Sequence, residues 1–231
     1  MASSLAAGQE NRALHPDPSA PTRAFPEPLV YVVDDESAVV DLIRRLCADR
    51  GLKVAGFSGA KEFLASVDPG RPGCLVLDLR LPDMTGIDLL EKLRELGTTQ
   101  TIVFISGYAE VEHAVRAMKM GVHDFLEKPF SNQTILDAIL SAVARDAKQR
   151  EVKAEVDDIG RRVARLTRRE HQVMELVVRG LANKSIAAEL SLSPKTVEVY
   201  RANVMAKMEV GSLAELVRAA MRHRDETASV S

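Results

Sequence analysis

At 231 residues, 46% hydrophobic and 28% charged, the chain is long enough for two modest domains with cores of their own and has the composition of a soluble protein. No apolar run approaches the roughly 20 residues of a membrane helix, and MASSLAAGQENRALHPDPSAPTRAFPEP lacks the basic-then-apolar order of a secretion signal, so a membrane role is excluded and a cytoplasmic location is expected. The formal charge of −2 hides an asymmetry, since residues 29–130 hold 16 acids against 12 Lys/Arg while residues 161–224 hold 13 Lys/Arg against 6 acids; a basic second half is the footprint of a phosphate-backbone binder, although basic surfaces have other uses.

In chain order, residues 1–28, with their prolines and small polar residues, are expected as a disordered tail. From Leu29 short apolar runs alternate with amphipathic stretches. The pattern predicts strands at 29–33, 52–55, 74–77, 101–105 and 122–126, and helices near 37–50, 59–67, 86–96, 109–120 and 132–147. Five β–α repeats make an α/β doubly wound five-stranded parallel sheet the natural architecture. Gly51, Gly97 and Gly121 fall just past three of the helices, where a cap needs positive φ. Cys47 lies in a helical pattern and Cys74 opens a strand, which predicts buried, reduced thiols rather than a disulfide or a metal site.

Beyond Ser131, apolar residues recur at 136, 140, 143 and 147, then at 152, 156, 159, 163 and 166 after a phase break near Arg150. The spacing reads as a helical linker, interrupted once, at 148–164. It either pairs with a copy of itself or spaces two domains as a solvated helix, and Ala and Val rather than Leu on the seam favour the spacer. Residues 165–224 show no strand pattern and four helix starts, a small all-α four-helix unit, followed by a short tail at 225–231. Thr167 with Glu170 and Ser212 with Glu215 fit the capping box, Asn183 can cap a third helix, and Ser193-Pro194 places serine at the N-cap and proline at the first helical position. The helices at 183–190 and 194–208, joined by Ser191-Leu192-Ser193, have the anatomy of a helix-turn-helix.

The chemistry of the first half sits at the ends of its strands. Asp34-Asp35 follow VYVV, Asp78 follows CLVL, Ser106 follows TIVFI and Lys128-Pro129 follow HDFLE, and the carboxyl edge of an open parallel sheet is where ligands bind. Adjacent carboxylates repel unless a cation sits between them, and Mg2+ suits one or two carboxylates with phosphate oxygens and water. Asp78, the most central acid, is the candidate nucleophile and phospho-acceptor; Ser106 can donate to a phosphoryl oxygen and Lys128 can neutralise another. Alone, Asp78 reads equally as a helix N-cap, Asp34-Asp35 as a first-turn acidic cluster and Ser106-Gly107 as a turn. Four strands ending together in the right polar type make those readings weaker.

On these residues, 29–147 resemble the receiver domain of two-component response regulators, which implies a flavodoxin-like fold. The resemblance further implies phosphorylation of Asp78 by a sensor histidine kinase, with Mg2+ held by Asp35, Asp78 and the backbone carbonyl of Arg80 and with Asp34 acting through water. It implies a switch pair of Ser106 and Phe125, a cis Lys128–Pro129 bond, and a homodimer formed on phosphorylation through residues 110–127.

The stretch LTRREHQVMELVVRGLANKSIAAELSLSPKTVEVYRANVMAKMEVGSLAEL resembles the LuxR/NarL-type DNA-binding domain, and with a receiver in front the chain is similar to the FixJ branch of that family. Read physically, the helix from Pro194 presents Lys195, Thr196, Val199, Tyr200 and Asn203, with Val197, Val204 and Met208 on its inner face. Lys195 and Arg201 suit DNA phosphates, Thr196, Val199 and Asn203 suit base edges, and Lys184 and Arg179 add backbone contacts. Tyr200 stands where the family usually has histidine, which suggests packing or a phosphate contact.

The expected function is therefore a non-enzymatic response regulator of transcription. Phosphorylation on Asp78 controls its dimerisation and its binding to double-stranded DNA, with RNA polymerase as a further partner. One rival is a phosphorylation-independent DNA-binding regulator whose receiver is a docking module. The other, a phosphohydrolase with an aspartyl-phosphate intermediate, is disfavoured because Leu79-Arg80 rather than a second acid follow Asp78.

Overall fold

The computed structural model describes residues 26–107 and 111–229; nearly all of the expected N-terminal tail, residue 108, residues 109–110 of the expected fourth helix and the last two residues lie outside that range. The first half alternates β1 (Leu29–Val33), α1 (Ser37–Ala48), β2 (Lys53–Phe57), α2 (Ala60–Ser66), β3 (Gly73–Asp78), α3 (Gly86–Glu95), β4 (Thr101–Ser106), α4 (Val111–Lys119), β5 (Asp124–Glu127) and α5 (Asn132–Ala164). The strands form one parallel sheet in the order β2-β1-β3-β4-β5. All residues of β3 and β4 are buried, which is why both read as unbroken apolar runs. Alternation along the strands splits the core in two. Val30, Val32, Cys74, Val76, Val103 and Ile105 pack on α1 and α5, whereas Tyr31, Val33, Leu75, Leu77, Ile102 and Phe104 pack on α2, α3 and α4. Cys47 and Cys74 are buried free thiols.

Gly51, Gly97 and Gly121 all take positive φ, 71°, 70° and 73°. In each turn the amide that follows the glycine donates back into the helix: Leu52 to Cys47, Thr98 to Leu93 and Val122 to Ala117. Leu52 and Val122 are thus the apolar contacts of helix caps and not the first strand residues, which explains why β2 and β5 begin one and two residues later than the periodicity predicts. Gly73 opens β3 at φ 136°, and a methyl there would lie 1.9 Å from the Leu29 carbonyl oxygen, so no other residue fits.

The expected interruption near Arg150 is absent: α5 runs unbroken for 33 residues. Its phase changes because its two halves pack on different partners. Ile135, Ala138, Ile139 and Ala142 face the sheet, while Ile159 and Val163 belong to a third core. At the break sits a buried ion pair that the apolar periodicity cannot reveal. Asp146, 1% exposed, accepts from Arg150 Nε at 2.7 Å and from the Gly73 amide at 2.9 Å. The Arg150 guanidinium also donates to the Gly70 and Arg71 carbonyls at 2.8 and 2.9 Å. Where the helix leaves the sheet, it is tied to the loop entering β3.

The remaining helices are α6 (Arg168–Val178), α7 (Asn183–Leu190), α8 (Pro194–Met208) and α9 (Leu213–Ser229), and Val173, Val177, Ile186, Val197, Val204, Met208 and Leu216 close their core around Ile159 of α5. Ser193 caps α8 with proline at its start. Asn183, expected as a cap, is instead the first helical residue of α7 after an N-cap at Ala182, and its Oδ1 accepts from Arg201. At α9, Ser212 Oγ accepts from the Glu215 amide as expected, but the Glu215 carboxylate takes the Gly211 amide, one residue earlier than a capping box requires. The Thr167–Glu170 box is complete, and Glu170 also accepts from Lys207 Nζ at 2.7 Å. The Lys207 ammonium, followed by the Thr167 amide, holds the Glu170 carboxyl below its ordinary 4.5. A depressed carboxyl pKa adds stability that is complete above 4.5 and is lost as pH falls through the folded value. Glu170→Gln is therefore expected to lower stability by about 1–2 kcal/mol at neutral pH, in urea titrations with unchanged slope, and the difference should shrink below pH 4.5.

Candidate functional site

Asp78 and Ser106, the last residues of β3 and β4, converge at the carboxyl edge of the sheet with Asp34, Asp35 and Lys128, which lie just past β1 and β5. Asp34 and Asp78 continue the α1/α5 face of β1 and β3, and both are buried, at 1% and 6% exposure; Asp35 is exposed. Oxygens of Asp34, Asp35 and Asp78 lie within 4.8 Å of one another. Each buried acid is oriented by the chain beyond it, Asp34 Oδ1 accepting from the Glu36 amide and Asp78 Oδ1 from the Arg80 amide, both at 2.9 Å. Lys128 enters from the end of β5 through a cis bond to Pro129. Its Nζ donates to Asp34 Oδ2 at 2.8 Å, Asp78 Oδ2 at 2.7 Å and Glu36 Oε1 at 2.9 Å. Glu36 was not foreseen in this role, although three consecutive acids facing one lysine are the signal that could have revealed it.

The electrostatics follow from this packing. Burial depresses the Lys128 ammonium, but its bonds to Asp34, Asp78 and Glu36 outweigh burial and leave it firmly charged. For Asp34 burial wins, raising its pKa above 3.8 against the opposing pull of the Lys128 ammonium and the Glu36 amide. A carboxyl whose folded pKa is raised favours the folded state when protonated, so the ionised form lowers stability as pH rises through that value. Asp34→Asn is expected to raise the urea midpoint at pH 7; a lower midpoint would mean that the Lys128 bond outweighs burial.

The backbone around Asp78 is fixed from several sides. Arg80 bridges Thr85, Gly86 donates to the Leu79 carbonyl, and Asp83 accepts from the Ala60 and Lys61 amides at the start of α2. A methyl at Gly86 would fall 2.4 Å from the Asp78 carbonyl oxygen. This loop presents the Arg80 backbone next to the acidic cluster. Ser106, 1% exposed, ends β4 beside Glu127, and its carbonyl accepts from the Lys128 amide at 2.7 Å. Ser106 and Phe125 both continue the α4 face of the sheet, where the Phe125 ring lies 6.5 Å from Phe104. The arrangement can hold a hard divalent cation on carboxylate oxygens, with a lysine and a hydroxyl-bearing strand end beside the central acid.

The second candidate surface is the outer face of α8. Lys195 side-chain exposure is 85%, Val199 is 53% exposed, and Asn203 lies two turns on in the same stripe, also exposed. Lys184 is exposed on α7, and Arg179 lies 3.9 Å from Glu189. Thr196 Oγ1 shares a hydrogen bond with Ser193 Oγ, and Tyr200 packs on the core between α6, α7 and α8. Arg201, half-buried, donates to Asn183 Oδ1 at 2.9 Å, so in this structure it joins α8 to α7. Among the described residues no helix is long and apolar enough to cross a membrane.

Residues 30–140 match the family of the response regulator receiver domain and residues 164–220 the bacterial regulatory proteins of the luxR family. The chain is similar to the transcriptional regulatory protein FixJ of Azorhizobium caulinodans, 44% identical over 85% of this chain and 94% of that protein. It is also similar to the response regulator protein TodT of Pseudomonas putida, 41% identical over 85% and 87%. The solved structure of the response regulator StyR, 42% identical, covers 85% of this chain and 100% of its own with a TM-score of 0.77.

Proposed function

Because the chain belongs to the two-component response regulators of the FixJ/LuxR type, regulators of transcription rather than enzymes, we propose that a sensor histidine kinase transfers its phosphoryl group to Asp78 and thereby controls binding to DNA. The observation that carries this reading is the convergence of Asp34, Asp35, Asp78 and Lys128 at one sheet edge. An Asp78 carboxylate oxygen attacks phosphorus as the phosphorus–nitrogen bond of the kinase phosphohistidine breaks. Asp35, Asp78 and the Arg80 carbonyl, with Asp34 behind them, would hold Mg2+, which would supply positive charge to the transferring oxygens. The hard oxygen donors of the cluster fit it. Lys128, already shared among three acids, can exchange Asp78 for a phosphoryl oxygen without leaving Asp34. Ser106, drawn to a second phosphoryl oxygen, would bias Phe125 and α4 on the same face of the sheet, a shift needing only a few kcal/mol.

Residues 29–147 then act as the receiver, 148–164 as the linker and 165–224 as the DNA-binding unit of a cytoplasmic protein. Phosphorylation brings two copies together through the fourth helix and fifth strand, residues 110–127, which pairs two DNA half-sites. Exposed Val115 and Met118 on α4 support that surface. Lys184, Lys195 and Arg201 take phosphates, Arg201 by leaving Asn183; Thr196, Val199 and Asn203 face bases, Tyr200 packs behind them, and RNA polymerase is the downstream partner. The exposed stripe of Lys195, Val199 and Asn203 also favours a second reading, in which DNA binding needs no phosphorylation and the receiver only docks.

The test is to treat the full chain with acetyl phosphate and Mg2+, then measure size in solution and affinity for duplexes selected from a random pool. The switch predicts a dimer and binding at least about tenfold tighter; unchanged size and affinity would leave the docking reading standing.

A further inference from the structure

The loop that leaves the acceptor strand β3, residues 79–85, is tied to a helix from an earlier part of the chain. α2 makes no side-chain cap of its own, because its N-cap is Gly59. Asp83 supplies the cap from the far loop: its Oδ1 accepts from the Ala60 amide at 3.0 Å and its Oδ2 from the Lys61 amide at 2.8 Å. The fit is tight, since a methyl at Gly59 would sit 3.3 Å from both Asp83 carboxylate oxygens.

This pair of bonds closes a ring around the acidic cluster. On one side the Asp34 amide donates to the Phe57 carbonyl at 3.0 Å, and Glu62 Oε2 accepts from the Ser58 amide and hydroxyl, both at 3.1 Å. The stretch from Phe57 to Lys61 is thereby fixed to the acids that follow β1. On the other side the Arg80 amide donates to Asp78 Oδ1 and Arg80 bridges Thr85, so the base of the loop is fixed to the acid that ends β3. Asp83 joins the two sides. Leu81 and Met84 also pack on the apolar core, but apolar contact is non-directional, whereas a carboxylate bonded by two neighbouring amides is held in position and orientation. Groups that orient a metal's ligands from behind commonly work in this way.

We propose that Asp83 is a positioning residue of the phosphoryl site: acting only through its loop, it holds the Arg80 carbonyl in register with Asp34, Asp35 and Asp78, so that the cluster is set for a divalent cation in advance. The proposal rests on the phosphoryl reading above and adds to it a residue that lies outside the cluster.

The test is urea unfolding of the full-length protein over a series of MgCl2 concentrations at constant ionic strength, because an ion that binds only the folded state raises the receiver midpoint according to its dissociation constant. Asp83→Ala is expected to lower the midpoint measured without Mg2+ and to raise the Mg2+ dissociation constant by about tenfold or more. Its phosphorylation by acetyl phosphate should be slow at low Mg2+ and recover at saturating Mg2+. The decisive variant adds Gly59→Ser to Asp83→Ala. The space beside Gly59 is then free, its backbone is extended (φ −166°, ψ 164°) as an N-cap serine requires, and the serine caps α2 without rejoining the loop. This double variant should regain the midpoint measured without Mg2+ and keep the weak Mg2+ binding. Because its cap is restored, it decides the matter even if Asp83→Ala fails to fold. Mg2+ affinity that returns together with the cap, or that never falls in Asp83→Ala, would reduce Asp83 to a cap of α2 and overturn the proposal. A wild type that gains no stability from Mg2+ would sink the phosphoryl reading as well, which separates the two failures.

Discussion

Asp78→Asn is expected to abolish phosphorylation of the chain by acetyl phosphate, a loss of at least about a thousandfold in rate, while the fold survives. The amide oxygen can still accept from the Arg80 amide, as Asp78 Oδ1 does, and Lys128 keeps Asp34 and Glu36 as partners. What disappears is the nucleophile, because an amide oxygen carries no charge to form an acyl phosphate. Incorporation measured on phosphate-affinity gels should be absent in the variant, and phosphorylation should no longer change its size or its affinity for DNA. Equal incorporation in variant and wild type would place the acceptor elsewhere. Ser106→Ala is the informative companion, since it should still accept the group but respond to it weakly.

A second large effect is expected far from that chemistry. Arg150→Ala should lower stability by about 3–5 kcal/mol. The Asp146 carboxylate, 1% exposed, would keep only the Gly73 amide, the Gly70 carbonyl would lose its donor and the Arg71 carbonyl would keep only Gln100 Nε2. One Asp146 oxygen has no partner even now, so the site has no slack to absorb the change. Urea unfolding of Arg150→Ala, Asp146→Asn and the double variant would give the coupling between them. A loss under about 1 kcal/mol, as for a surface pair, would show that water reaches the Asp146 carboxylate when Arg150 is removed.

The carboxyl-edge residues were legible in sequence because parallel strands write themselves as apolar runs and the polar residue ending each run is conspicuous. Asp34, Asp35, Asp78 and Lys128 were found that way, and the structure brings them together. The glycine caps were legible too, but an apolar residue after the glycine looks like the start of a strand, so Leu52 and Val122 were assigned to β2 and β5. Pairings across long separations leave no periodic trace. Asp83 on the start of α2, Arg201 on Asn183 and Lys207 on Glu170 are single polar residues whose partners sit 22, 18 and 37 positions away. Asp146 offered one clue: it continues the stripe of Ile135, Ile139 and Ala142, where a charge is out of place unless it is paired, and Arg150 stands one turn further on.

The unbroken α5 also makes the angle between the two halves of the molecule a matter of arithmetic. A helix turns about 100° and advances about 1.5 Å per residue, and between Arg150, tied to the sheet, and Ile159, seated among the effector helices, there is only helix. Any residue added to that span swings α8 around the shaft by roughly a quarter turn. Two full turns, about seven residues, nearly restore its heading at a longer reach. The span therefore works as an indexed axle: its length in residues sets the direction in which the exposed face of α8 points.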